Sequence, residues 1–462
     1  MENPISWAIV GALLGILLLL SIPLRFIPFL FILSIFFDKF HWEVLSFTIR
    51  PSQVVGAFLV IKWLLVKKYK SKIEGALPNP LIIPFLLYVG FSIISALLNA
   101  PDPHKSLQLC LMLLVLFSPV IAMVDILQKR ELYEQVMRFY IEVGVISAVA
   151  GLLGYIALVG FGYESVVATG ELGGRICGTQ HEAGDHFGIQ MMLFAIIMIS
   201  HLSVRSALFP LKRQYLYILL FLLAMLLSFK RSAWLSALIG ITCSWFLLAN
   251  QKQRAISVRR SLGWITGIAI VIGLLNWGLP GRTYEVGGIY EMMVHRASRI
   301  LDFKEGTGQF RLMVCVEALQ NWQAHLLLGN GPGSMGDYLG WIGNVFVRSL
   351  HDVGIFGLFS VILIWLTIFW QGLRVIYFPI DHRLKGYLIG MFSSCLALLS
   401  VNMVDDHFLL NLFWVHISLT MTTINLAKMT RNDKKQNPSM LIHEEGRLLR
   451  LYRRGTPAGL EK

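Results

Sequence analysis

The sequence predicts an all-α membrane protein, a polytopic bundle of about 12 crossing helices with one large extracytoplasmic loop. Of its 462 residues, 56% are hydrophobic and only 15% are charged. The mean hydropathy is +0.65. A soluble domain of this composition would expose large apolar patches. Apolar runs long enough to cross a bilayer recur along the chain, and basic residues cluster in the short loops between them.

The predicted crossings are apolar segments close to the 20 or so residues that a span needs, with shorter ones extended by snorkelling side chains. The first two are separated only by a Pro-Leu-Arg turn, so they form a hairpin or one broken unit. The segments are 6–22, 25–37, 52–66, 80–99, 105–126, 134–159, 186–203, 214–229, 233–250, 261–278, 346–371, 383–402 and 407–427. The first lacks the basic flank and cleavage site of a signal peptide, so we expect a retained span.

The basic loops orient the bundle. They alternate onto one side of the predicted crossings, and this side should be cytoplasmic. Their residues are Lys67, Lys68, Lys70, Lys72, Lys129, Arg130, Arg205, Lys212, Arg213, Lys252, Arg254, Arg259, Arg260, Arg374, Arg383, Lys385, Arg431, Lys434 and Lys435. The net charge of +13 therefore reflects membrane orientation rather than nucleic-acid binding.

Four regions follow from this topology: an N-terminal bundle at 1–278, an extracytoplasmic loop at 279–345, C-terminal crossing helices at 346–427 and a basic cytoplasmic tail at 428–462. The five cysteines show no zinc-binding spacing. Only Cys177 and Cys315 fall in predicted outer loops. A disulfide between them is one interpretation, and two isolated small hydrophobic residues are the favoured one.

Arginines on the predicted outer face run against the usual charge bias. They are Arg50, Arg175, Arg231, Arg282, Arg296, Arg299, Arg311 and Arg348. Arginine binds phosphate through a bidentate fork and keeps its charge. Scattered loop charges or snorkelling helix ends are the alternative for any one of them. As a set they predict an anionic ligand at this face.

Two polar motifs precede predicted outer helix starts. Lys230, Arg231 and Trp234 lie where a guanidinium beside free helix N–H groups suits a diphosphate at headgroup depth. An interfacial anchor is the alternative. The second motif could bind sugar hydroxyls or phosphate, and as a metal site it is weak. Its polar residues are Arg175, Thr179, His181, Glu182, Asp185 and His186.

A third motif begins at Gly308. Apolar residues at helical spacing predict a helix on the outer surface, with Arg311 in its first turns. They are Leu312, Val316 and Leu319, with Val314 and Ala318 as a second stripe. The glycines Gly331 and Gly333 then predict a tight turn whose N–H groups face an anion. No strand precedes this turn, so it is not a dinucleotide fingerprint.

These pieces together resemble the O-antigen ligase and O-antigen polymerase superfamily of bacterial envelope glycosyltransferases. The resemblance covers most of the chain. Its residues are Arg231 with Leu235, the loop arginine Arg311, Arg175 with Gly178 and Thr179, and Asn344 followed after nine residues by Gly354 and Gly357. Gly343 stands where the ligases carry a histidine. His351 lies about two helical turns further on.

The resemblance implies a GT-C-like fold at the bacterial inner membrane. It implies inverting transfer, without metal or cofactor, of a glycan from an undecaprenyl-diphosphate carrier to an acceptor hydroxyl such as that of lipid A–core. Arg231 and Arg311 would bind the diphosphate, and Asn344 would position a sugar. His351, His181, Glu182 and Asp185 would be candidate bases. Arg175, His181, Glu182, Gly331 and Gly333 would contact substrate.

Two other functions remain open. The missing histidine at Gly343 favours a repeat-unit polymerase, whose acceptor is a second glycan, while the glycine frame favours a ligase. A transporter or flippase of lipid-linked sugars would also explain many spans and outer cations. Such a protein is expected to have two related halves with broken helices, and the sequence shows no such repeat.

Overall fold

The computed structural model describes residues 21–44, 47–69, 79–163, 165, 168–169, 175–176, 185–204, 206, 208–248, 258–259, 263, 306–335 and 342–436. Two predicted crossings, 6–22 and 261–278, lie outside these residues almost entirely. About half of the loop at 279–345 and most of the tail at 428–462 also lie outside them.

Helices dominate the described residues. A 3-10 turn at Leu24–Phe26 leads into α1, and two short antiparallel ribbons interrupt the helical order. The helices are α1 Ile27–Ile35, α2 Pro51–Tyr69, α3 Ile82–Leu98, α4 Pro103–Ile126, α5 Arg130–Phe161, α6 Asp185–Ser203, α7 Leu211–Leu227, α8 Arg231–Phe246, α9 Gly306–Trp322, α10 Val345–Ile376, α11 His382–Asn402 and α12 Asn411–Gln436. The ribbons pair β1 Trp42–Val44 with β2 Phe47–Ile49, and β3 Ala168–Thr169 with β4 Arg175–Ile176.

Five helices in the described part of the chain are long and apolar enough to cross a membrane. They are Pro103–Ile126, Arg130–Phe161, His186–Ser203, Val345–Ile376 and His382–Asn402. This confirms the helical class and supports association with a lipid bilayer. The count of about 12 crossings and the outer loop stay predictions.

The core of the bundle is built around α6 and α11. These two helices pack against each other, and both contact α8, while α7 covers α6 on another side. From Phe187 to Leu202 every residue of α6 is buried. A helix with apolar side chains on every side can be buried all round, and α6 is of this kind apart from a few buried polar residues such as Gln190, Ser200 and His201.

One end of the bundle is held by an ion-pair network between α5 and α11. Arg130 grips Asp381 in a bidentate pair, with N–O distances of 2.7 and 2.8 Å. Glu134 accepts from both Arg130 and Arg383, each at 2.9 Å. Asp381 also caps α11 by accepting from its first N–H groups. This is the end at which the basic-loop pattern predicts the cytoplasm.

A break in α10 shapes the opposite end. Gly354 has φ +73° and ψ −161°, which no helical residue adopts. The loop after α9 fills the break. Ile355 N–H donates to Leu326 at 3.1 Å, while Asn330 and Gly331 donate to the carbonyls of His351 and Asp352 at 2.8 and 3.0 Å. The glycine-rich turn and the glycine frame are thus two halves of one structure.

Helices α3 and α4 hold this turn from the other side. Ser95 donates to the carbonyl of Asp352 at 2.8 Å, and Asn99 donates to that of Gly329 at 2.8 Å. Ser106 donates to the carbonyl of Pro332 at 2.6 Å. Buried carbonyls need such donors. The turn is therefore bound both to α10 and to the α3–α4 pair.

We predict that Gly354→Ala destabilises the protein by more than about 1 kcal/mol, because its backbone region is open essentially to glycine alone. An added Cβ would also lie 2.2 Å from the Leu327 carbonyl oxygen. Gly90→Ala in α3 is the control, since a Cβ there meets nothing within 4 Å. Thermal melting of the detergent-solubilised protein measures both. Equal melting temperatures for the two variants would contradict the role given to Gly354.

Candidate functional site

Three separate segments meet on one carboxylate, that of Asp405. It lies in the loop between α11 and α12 and is only 2% exposed. Lys230, which directly precedes α8, forms an ion pair with it. Arg311 from α9 places its Nη2 3.9 Å from Asp405 Oδ1 and donates from Nη1 to the Val404 carbonyl at 2.8 Å.

Because Asp405 and Lys230 are both buried, each charge needs the other. Lys230 is almost as inaccessible as Asp405, and a buried charge without a partner is strongly destabilising. Burial by itself would raise the pKa of Asp405. The charges of His407, Lys230 and Arg311 outweigh burial and hold that pKa below its ordinary value of 3.8. Asp405 is therefore a carboxylate at neutral pH.

The site extends from Asp405 toward the start of α6. His407 Nε2 lies 3.6 Å from Asp405 Oδ2. The ring of His407 meets the ring of His186 edge to face, with centroids 5.1 Å apart. His186 also lines a small open cavity, shared with Ile35, Asp38, Arg50, Leu410, Asn411 and Leu412. Ionisable and amide side chains thus continue from the carboxylate to this cavity.

Asp38 in this cavity is held by the start of α2. Its carboxylate accepts from Ser52 N at 3.0 Å and from Ser52 Oγ at 2.6 Å. Burial raises the pKa of Asp38 to about 6, and the bonds from Ser52 and the charge of Arg50 only partly oppose this effect.

A second ion network adjoins the first. Arg348 pairs with Asp406, and its Nε lies 3.3 Å from Asp352 Oδ2. Asp352 in turn bonds His351 Nδ1 at 2.8 Å. Because Asp405 and Asp406 are neighbours in the chain, the two networks share one loop. This loop joins α10 to the Lys230 and Arg311 cluster.

The predicted site residues occupy different places around this loop. Arg231 is the first residue of α8, half-buried beside Lys230. Asn344 caps α10 by accepting from Phe346 N at 2.9 Å, and it donates to the Met403 carbonyl at 2.9 Å. His351 is 2% exposed, behind the surface, so its role as a base stays a prediction.

The glycines of the turn allow neighbouring elements to approach closely. The N–H of Gly331 bonds the Asp352 carbonyl. A Cβ at Gly331 would lie 2.4 Å from Ala100, and one at Gly333 would lie 2.6 Å from Leu109. Both positions have positive φ, which glycine adopts without strain. Substrate binding by these two glycines stays a prediction.

Several predicted residues fall outside what the structure describes. His181, Glu182 and Cys177 do so entirely, and only the backbone of Arg175 is placed, in β4. Cys315 on α9 is a free thiol. Within the described ranges, no three His, Cys, Asp or Glu side chains are grouped so that they could hold a metal ion.

Sequence reasoning missed the acidic half of this site. The sequence patterns single out the outer arginines but not Asp405, Asp406 or His407, and they mark Lys230 only as the neighbour of Arg231. A signal was present, because two adjacent acids follow one apolar helix and precede another. Carboxylates there need cationic partners, and outer cations were the available ones.

The cluster has the charge to bind a phosphorylated ligand. Lys230 and Arg311 carry two positive charges against the one negative charge of Asp405, a formal excess of one to which His407 adds when protonated. Arg231 follows Lys230 in the chain. Guanidinium groups bind phosphate oxygens through paired hydrogen bonds. Asp405 holds two of these cations together, which fixes their positions before a ligand arrives.

We predict that Asp405→Ala costs about 3–5 kcal/mol, because it leaves the ammonium of Lys230 buried without its carboxylate. Adding Lys230→Met should recover part of the loss. Asp102→Ala, which removes an exposed helix cap at the start of α4, is the control and should cost about 1 kcal/mol. Melting measurements over the double-mutant cycle give the coupling. Additive losses would show that Lys230 does not depend on Asp405.

The two acids should affect stability with opposite dependence on pH. The folded pKa of Asp38, about 6, exceeds its ordinary 3.8, so the wild type should lose stability relative to Asp38→Asn as pH rises between these values. The folded pKa of Asp405 lies below 3.8, so its contribution should persist above that pH and vanish below it. Melting temperatures across pH measure both. The same pH trend for Asp38→Asn and Asp405→Ala, each relative to the wild type, would contradict the opposite pKa shifts of the two acids.

No protein-family model matches this chain, and no curated protein is significantly similar to it. The resemblance to O-antigen ligases therefore rests on the residue patterns of the sequence.

Proposed function

We propose that the protein is a membrane glycosyltransferase of the O-antigen ligase type. It transfers a glycan from an undecaprenyl-diphosphate carrier to an acceptor hydroxyl, such as that of lipid A–core, at the outer face of the bacterial inner membrane. One observation carries the proposal: Lys230 and Arg311, from segments far apart in the chain, meet on Asp405, with Arg231 adjacent.

The proposed reaction needs positive charge beside the leaving diphosphate. The acceptor oxygen attacks the anomeric carbon from the face opposite the carrier and forms the new glycosidic bond. The bond to the diphosphate breaks, and its electron pair leaves with the diphosphate. Positive groups that already face the developing negative charge stabilise the transition state. This electrostatic stabilisation is commonly the largest contribution that an active site makes to the rate. Arg231 and Arg311 supply these positive groups, with Lys230 behind.

The acceptor hydroxyl must also lose its proton, and this step has no strong base among the residues of the described site. Gly343 replaces the histidine found in similar ligases, and His351 is bonded to Asp352 below the surface. Asp405 is a poor base, because its depressed pKa is far from neutral pH. Catalysis thus depends mainly on activation of the leaving diphosphate, with the acceptor proton passing to solvent as the bond forms.

We predict that Arg231→Ala and Arg311→Ala each lower glycan transfer by about 100-fold or more, the scale of losing one donor to a developing anion. Arg374→Ala is the control, since Arg374 lies over Trp370 at the other end of α10. The assay is product formation from undecaprenyl-diphosphate oligosaccharide and lipid A–core by the purified protein in detergent. Melting temperatures show that the variants fold. Full activity in both arginine variants would overturn the site.

The product separates the ligase from its alternatives. Glycan attached to lipid A–core identifies a ligase. Longer chains still on the carrier identify a polymerase, which the absence of a histidine at Gly343 favours. Carrier moved across proteoliposomes with its glycan unchanged identifies a transporter and rules out the transferase.

A further inference from the structure

One face of helix α9 packs against the rest of the protein. Val314 and Ala318 are buried beside Ile342. Arg311 lies on the same side and reaches Asp405 and the Val404 carbonyl. This face fixes how the helix is rotated, and so determines which side chains point away from the bundle.

A second face of α9 is apolar and uncovered by the described residues. Leu312, Val316 and Leu319 recur at i, i+4 and i+7, which places them on one side of a helix. They are 54%, 46% and 38% exposed. Water in contact with a row of this kind is unfavourable, and such a row marks a surface that binds an apolar partner.

A third face of α9 is mixed. Glu317, Gln320 and Asn321 follow at i, i+3 and i+4, but Phe310 and Met313 are exposed on the same side. Of the exposed polar residues, Asn321 lies opposite the Leu312, Val316 and Leu319 row. A helix with an exposed apolar row on one flank and one edge bound to protein suits the boundary between acyl chains and water.

The apolar row continues onto a membrane-crossing helix. Leu326 and Leu327, just past the end of α9, are exposed, and the Leu326 carbonyl accepts from Ile355 N at 3.1 Å. Ile355 and Phe359 are exposed on α10, one of the helices able to cross a membrane. Trp322 Nε1 donates to the same Leu326 carbonyl at 2.9 Å, which ties α9 to this junction.

We propose that the Leu312, Val316 and Leu319 flank of α9 lies among the acyl chains of the adjoining leaflet, so that α9 is a half-embedded interfacial helix. The bilayer is the partner because the row runs into the exposed apolar side chains of α10, a helix long and apolar enough to cross a membrane. This depth holds Arg311, on the neighbouring face, at the level of lipid headgroups. That Arg311 there meets a lipid-borne diphosphate rests on the proposed function.

Spin labels on full-length protein in phospholipid nanodiscs test the proposal. With the native cysteines replaced by serine, Leu312→Cys, Val316→Cys and Leu319→Cys should give labels relaxed several-fold more by oxygen, which concentrates in acyl chains, than by a water-soluble nickel chelate. Asn321→Cys, on the side of the helix opposite the row, is the control and should show the reverse. The measurement needs no turnover, so its failure is independent of a failure of the proposed function.

Two results would overturn the proposal. Nickel access at Leu312 and Val316 equal to that at Asn321 would place the flank in water. Shielding from both reagents would show that protein, such as a second copy of the chain, covers it. If the cysteine-free background does not fold, a photocrosslinking residue at Leu312 or Asn321 in the native-cysteine chain gives the same contrast. Lipid adducts are then expected at Leu312 only, and their absence there would equally overturn the proposal.

Discussion

The pairing of Asp405 with Lys230 and Arg311 is the constraint on which this end of the bundle depends. A carboxylate and an ammonium removed from water are stable only together. Their partnership fixes the start of α8, the first turns of α9 and the α11–α12 loop relative to one another. The same contact that stabilises the fold therefore also assembles the cations of the candidate site.

The break in helix α10 shapes the same end of the molecule. Its interruption at Gly354 frees the carbonyls of His351 and Asp352, which the glycine-rich turn then satisfies. The first part of α10 carries Arg348, paired with Asp406. A straight α10 would have no place for the turn, and the loop that carries Asp405 and Asp406 would lose one of its supports.

Helix α9 connects the charged site with its surroundings. One side contributes Arg311 to Asp405, while another presents an apolar row continuous with α10. A phosphorylated ligand carried on a lipid would combine these two chemistries in one molecule. Under the proposed function, one such ligand would engage both the ion cluster and the apolar flank of this short helix.

The sequence by itself determined the helical class and, closely, where the described helices run, because apolar runs and loop charges are local signals. Arg311 and Arg231 were also singled out from their outer placement. Only the tertiary structure decided that Asp405 joins Lys230 to Arg311, and that Gly331 bonds the carbonyl of Asp352. Such pairings join segments remote in the chain, and no local pattern specifies which buried charge will meet which.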